Sequence, residues 1–309
     1  YHVSDFAGVH LNALQLRWFD HWLKGEDTGH TDPAGPLTCY ELGGDRWLHT
    51  RAYPLAEANP TRFYLGPGGA LTPDPPITST TARLSYTPRG PVAGRSWEQW
   101  SLGAYGYLSS RLGRAIRYDQ DNRRIQRHGA LIYTSTPFAK PTVLAGPITL
   151  TIHATANTTE TLWVAHLDDL APDGTSKPLT QGALLGSRRQ LDPLKTWYTE
   201  DGAILRPYHA SRADTVRPVV PGETSRYDLE IFPTTALIAE GHHIRIAITT
   251  SDFPHLTPNT SSLRKLTGGV YELHEGGKYA SYAVVPLADP AAFNHDAPSS
   301  RDPETSRAS

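Results

Sequence analysis

The serine of GRSWE, Gly94 to Glu98, is the nearest approach in this chain to a nucleophile elbow. Such an elbow turns a strand sharply into a helix and needs small residues on both sides of the serine. Glu98 stands where the second glycine belongs and no helical pattern follows, so Ser96 does not fit the role. The aspartates of DDLAPDGTS (Asp168, Asp169 and Asp173) resemble a calcium loop only in composition. Hard-cation chelation asks for alternating oxygen ligands and a closing glutamate. Neither is present, and APDG reads as a hairpin turn. His242 and His243 follow Gly241 at the start of a strand pattern. Adjacent strand residues point to opposite faces, so the two cannot chelate one metal together. GPGG, Gly66 to Gly69, lacks the lysine and hydroxyl residue of a phosphate loop. TTSDFPHLTPN, Thr249 to Asn259, is the most distinctive stretch. Asp252 can accept hydrogen bonds from nearby backbone N–H groups, Phe253 can plug the end of a sheet pair, and two prolines stiffen the exit. A structural corner is its expected role, with ligand contact the alternative. No catalytic, cofactor-binding or metal-ligating residue is therefore assigned, and no cofactor is expected.

The elements that would position any such groups are mostly strands. The chain has 309 residues, 26 of them Gly and 26 Pro, with 38% hydrophobic and 19% charged residues. High glycine and proline with modest charge reads as many short strands joined by turns. GPITLTIHATA puts Ile148, Leu150, Ile152 and Ala154 on one face and Thr149, Thr151 and His153 on the other. SRYDLEIF sets Tyr227, Leu229 and Ile231 against Asp228 and Glu230, and HIRIAITTS sets Ile244, Ile246 and Ile248 against Arg245, Ala247 and Thr249. Period-2 runs of this kind are half-buried antiparallel strands. Further strands are expected at TCYEL, RFYLG, ARLSYT, ALIYTS, LWVAHL and YASYAVV, with turns at GPGG, APDG, VPGE and AEGHH. The pattern predicts a mainly β fold, two packed antiparallel sheets in a jelly-roll-like sandwich.

One helix precedes them. Leu14, Trp18 and Trp22 recur at helical spacing, and Leu16, Phe19 and Leu23 widen the apolar arc past half the circumference. Asp20 and Lys24 form an i,i+4 pair, and Gly25 stands where a left-handed cap belongs. So apolar a helix calls for neighbours on two sides, and nothing else in the chain is comparably helical.

The net charge of −2 gives no footprint for nucleic acid or an anionic membrane. Arg111, Arg114, Arg117, Arg123, Arg124 and Arg127 cluster, but Asp119 and Asp121 interrupt them, as in a solvated loop or docking segment. Cys39 is the single cysteine, so no intrachain disulfide can form, and a cytoplasmic location is favoured. No apolar run reaches the roughly 20 residues of a membrane span.

Three blocks, ALQLRWFDHWLKGEDTG, ALIYTSTPFAKPTVLAGPITLTIHA and ALIAEGHHIRIAITTSDFPHLTPN, resemble in order and spacing the cocaine esterase/X-prolyl dipeptidyl-peptidase (CocE/NonD) family of serine hydrolases. The resemblance implies a C-terminal portion of such an enzyme, in which Val9 to Lys24 is the last helix of an α/β-hydrolase domain. It divides the chain into a helix remnant (1–26), a linker with first strands (27–60) and an X-prolyl dipeptidyl-peptidase C-terminal-type β-sandwich (61–288), while the polar, Pro-rich, aperiodic stretch from Asp289 reads as a disordered tail (289–309). The resemblance also implies a partner α/β-hydrolase domain and a small acyl ester or peptide substrate in the complete enzyme. The family's Gly-x-Ser-Tyr-x-Gly and Gly-Pro-Trp motifs do not occur, and His2 lacks the context of the family's histidine. The chain by itself is therefore expected to be inactive. A free-standing carbohydrate- or ligand-binding β-sandwich module, with Trp97, Trp100, Tyr105 and Tyr107 as an aromatic platform, is the competing reading.

Overall fold

A computed structural model describes residues 11–28, 37–88 and 130–293, together with Ser101 and Ala104. The expected helix is present as α1 (Leu11–Lys24). Asp20 and Lys24 pair at 2.6 Å. Gly25, at φ +73°, donates its N–H to the His21 carbonyl at 3.1 Å, which closes the helix with a left-handed cap. Arg17 and Thr28 exchange two hydrogen bonds, of 2.9 and 3.2 Å, and tie the next residues back along the helix.

The rest is built from strands. β1 (Leu37–Glu41) and β2 (Arg46–Thr50) form a separate hairpin, in which buried Glu41 accepts from Arg46 Nε at 2.6 Å. The main sheet runs through β3 (Asn59–Gly66), β4 (Ala70–Thr72), β5 (Thr81–Ser85), β6 (Leu131–Ser135), β7 (Thr142–Ala156), β8 (Leu162–Leu170) and β9 (Ser176–Leu185). A small hairpin of β10 (Trp197–Tyr198) and β11 (Ile204–Arg206) follows. β12 (Ser225–Ile238), β13 (His243–Thr249), a short helix α2 (Thr260–Leu266), β14 (Val270–His274) and β15 (Tyr282–Ala288) complete the order.

The strand path is β5-β14-β7-β15-β3-β4-β6-β13-β8-β9, with β12 on the far edge of β7. Its pairs are antiparallel apart from the short parallel contact of β4 with β6. The two ends of the path fold onto one another. Trp163 of β8 lies 5.5 Å from Tyr227 of β12 and 5.0 Å from Tyr271 of β14, ring to ring, and all three are fully buried. Large aromatic side chains bury roughly 150–250 Å2 each, so this trio dominates the centre of one core shared by both layers. At the side, β9 meets β12: Thr180 Oγ1 donates to the Phe232 carbonyl at 2.7 Å. The mainly β, sandwich-type architecture is as the strand pattern predicts.

Three differences from the sequence reading have physical causes. β7 is buried on both faces rather than half-buried, because the β10–β11 hairpin lies over its polar side. There Thr149 Oγ1 donates to the Leu205 carbonyl at 2.8 Å, and Thr151 Oγ1 to Asp228 at 2.7 Å, so the buried threonines are paired. β9 carries Pro178 and Gly182, both strand-weakening, and gave no strand signal. Asp289 to Phe293, at the start of the expected tail, forms a turn capped by Asp289 and buries Phe293.

Candidate functional site

The first candidate feature is the outward face of α1. Trp18, Phe19, Trp22 and Leu23 are 48, 54, 62 and 77% exposed, and no strand packs closely along the helix among the described residues. Trp18 and Trp22 rest on each other at 5.8 Å, and His21 meets Trp22 edge-on at 4.9 Å. A soluble surface seldom leaves two tryptophans, a phenylalanine and three leucines contiguous in water.

The second is the corner after β13. Phe253–Pro254 is a cis peptide, with Pro254 buried and Phe253 partly buried at this corner. The chain doubles back through the Leu256 N–H, which donates to the Asp252 carbonyl at 2.8 Å. The Asp252 carboxylate, 1% exposed, accepts from His255 Nδ1 at 2.9 Å and from Gln181 Nε2 of β9 at 3.1 Å. Side chains from β9 and from the corner itself thus meet on this carboxylate. Beside this trio opens a cavity of about 350 Å3, walled by Leu162, Leu184, Leu185, Leu256 and Pro258, with His255 on its rim.

The other sequence candidates resolve as structure. APDG forms the β8–β9 turn, where Asp173 Oδ1 accepts from the Thr175 N–H at 2.8 Å and Gly174 has φ +82°. Asp168 accepts from Ser176 Oγ at 2.9 Å, and Asp169 pairs with His242 Nδ1 at 2.8 Å. His243 instead reaches the Ser135 carbonyl at 2.6 Å, so the two histidines turn to different partners as strand alternation requires. GPGG is the β3–β4 turn. Among the described residues no cluster of three or more His, Cys, Asp or Glu could hold a metal ion. Burial raises the Cys39 thiol pKa, which keeps the sulfur protonated and a poor nucleophile. His2, Ser96, the Trp97/Trp100/Tyr105/Tyr107 platform and the Arg111–Arg127 cluster lie outside the described residues. Sequence reasoning gave no role to His255 or Gln181. The Asp252–His255 spacing of three in a turn could have flagged the first, whereas Gln181 is joined to the corner only by the fold.

No helix among the described residues is long and apolar enough to cross a membrane. A family profile described as the X-Pro dipeptidyl-peptidase C-terminal non-catalytic domain matches residues 28–284. The cocaine esterase of Rhodococcus sp. is 24% identical over 295 residues, covering 89% of this chain and 45% of that protein. A Mycobacterium bovis protein provisionally named a serine esterase is 28% identical over 242 residues, covering 78% of this chain and 36% of that protein. This chain therefore spans less than half the length of either relative. In structure it is similar to a CocE/NonD family hydrolase of Staphylococcus aureus, with a TM-score of 0.64 at 18% identity over 90% of this chain and 46% of that one. That likeness speaks for the fold alone. With the match extending from Thr28 to the middle of β15, the chain belongs to the family of the X-Pro dipeptidyl-peptidase C-terminal non-catalytic domain.

Proposed function

We propose that the chain works as the non-catalytic β domain of a serine hydrolase acting on ester or amide bonds, X-prolyl dipeptidyl bonds included. In this reading α1 docks on an α/β-hydrolase domain, and the sandwich walls one side of the cleft that takes a small acyl ester or peptide substrate. The observation that supports it most is the open face of α1 on a chain of a non-catalytic family. Burying each large apolar side chain there would contribute about 1.5–3 kcal/mol, enough for a stable docked contact. The docked domain supplies the chemistry: a serine attacks the acyl carbon, a histidine takes its proton, and an aspartate orients that histidine. This chain contributes placement, where an error of about 1 Å can lower a rate roughly a hundredfold. A cytoplasmic location belongs to the same reading and rests on the lone cysteine.

The test is a pair of measurements. The 309-residue chain should neither turn over an activated ester nor be labelled by a serine-reactive phosphonate; labelling would mean a nucleophile of its own. In a form that includes the α/β-hydrolase domain, Trp18→Ala with Trp22→Ala should lower both stability and kcat. Unchanged behaviour there would remove the docking role of α1.

A further inference from the structure

The cavity beside Asp252 combines two things that do not follow from docking: apolar walls and a single oriented hydrogen-bonding nitrogen. An ionised carboxylate can only accept. Asp252 Oδ2, 2.9 Å from His255 Nδ1, therefore fixes the ring proton on Nδ1 and leaves Nε2 as a bare acceptor when the imidazole is neutral. Gln181 Nε2 at 3.1 Å holds the same carboxylate oxygen from β9, so the orienting group is braced from a second element. The ring is the polar member of a wall otherwise made by Leu162, Leu184, Leu185 and Leu256, and its side chain is 28% exposed. Thr257, also at the wall, already donates its hydroxyl to the Pro254 carbonyl at 3.2 Å. A guest therefore meets acceptors at this wall, the Thr257 hydroxyl oxygen and, on a ring oriented by Asp252, His255 Nε2.

We propose that this cavity is a binding site for a small apolar alcohol or phenol, whose hydrocarbon part lies on the leucines while its hydroxyl donates to His255 Nε2. Clefts that take small molecules are mostly apolar with a few placed polar groups, and span roughly 300–1,000 Å3. At about 350 Å3 this one suits a guest at the small end of that class. A carboxylate guest is disfavoured, because the buried Asp252 carboxylate stands close behind the ring. The site needs no second domain and stands or falls apart from the docking of α1.

The test uses the 309-residue chain at neutral pH with p-cresol and toluene as probes, followed by saturation-transfer NMR and titration of protein resonances. p-Cresol should bind saturably and about three- to tenfold more tightly than toluene, the worth of one hydrogen bond. His255→Ala should remove that difference while leaving toluene binding in place. Ala183→Trp, at an exposed position of β9 on the cavity wall, narrows the cavity and should abolish binding of both probes. That variant keeps the test decisive even if His255→Ala does not fold. Equal affinity for the two probes, no saturable binding, or binding that survives Ala183→Trp would each overturn the proposal.

Discussion

Gly182 of β9 faces the backbone of Glu230 and Ile231 on β12 so closely that a Cβ there would lie 2.8 Å from Ile231 Cα and nearer still to the Glu230 carbonyl. The contact joins the two free sides of the strand path, and a methyl group is more than it can hold. Gly182→Ala should therefore destabilise the chain by about 3 kcal/mol or more, toward the upper end of overpacking effects. Gly174→Ala, at φ +82° with open space around it, should lose only about 1–2 kcal/mol from backbone strain. Urea unfolding of both variants checks the order; a milder effect at Gly182 would mean that β9 and β12 stand further apart.

The α1 face yields a contrast between contexts. In the 309-residue chain, Trp22→Ala, whose ring is 62% exposed, should shift stability by about 0.5 kcal/mol, and the half-buried Trp18→Ala by about 1–2 kcal/mol. In a form that carries the catalytic domain, each should lose about 3–5 kcal/mol, as for other buried aromatic truncations. Thermal melts of the four proteins separate the cases. Equal losses in both contexts would place the tryptophans inside this chain's own core.

Glu275 is a buried carboxylate with two named donors: Tyr133 Oη at 2.8 Å and Thr80 Oγ1 at 3.0 Å. Burial, and then the Glu275 hydrogen bond and charge, drive the Tyr133 phenol pKa far upward, so it stays a donor throughout the accessible pH range. Tyr133→Phe should destabilise by about 1–3 kcal/mol by leaving a carboxylate oxygen without that donor. Tyr133→Phe combined with Glu275→Gln should be less damaging than the sum of the single changes, measured as a double-mutant cycle.

Two histidines give the fold an acid limb. Burial, then the Arg226 charge, lowers the His153 pKa below its ordinary 6.5 despite help from Asp228 and the Ala280 carbonyl. Burial also lowers that of His274, against the pull of Glu272. Both rings flank Tyr279, at 5.9 and 5.5 Å. A depressed histidine pKa means that the unfolded chain binds more protons just below pH 6.5, so stability falls as the pH drops from there through the folded-state pKa values. His153→Gln and His274→Gln should each flatten this fall in unfolding midpoints measured between pH 7.5 and 5. An unaltered slope would assign the acid limb to other groups.

The strands with clean alternation were legible because each buries one apolar face, as Ile244, Ile246 and Ile248 do. The helix was legible for the same reason at a period of 3.6, and its cap from Gly25. β9 was not, because Pro178 and Gly182 mask its period, and both serve contacts made with distant strands. β2, β4, β10 and β11 are short and owe their form to what they pair with. At the candidate cavity, Asp252 stood out in the sequence for its setting between hydroxyls and prolines. Its partner Gln181 is 71 residues away, and only the closed sandwich brings the two together.

The slot occupied by β15 has a consequence for biosynthesis. β15 lies between β3 and β7, so the strand at Asn59–Gly66 waits for one at Tyr282–Ala288. At roughly 5–20 residues per second, a ribosome needs on the order of 10–45 s to travel from one to the other. Throughout that interval the emerging polypeptide carries an unzipped edge on β3, a natural client for a chaperone that shields nascent strands. A stop codon placed anywhere before Tyr282 would leave that interval permanently open.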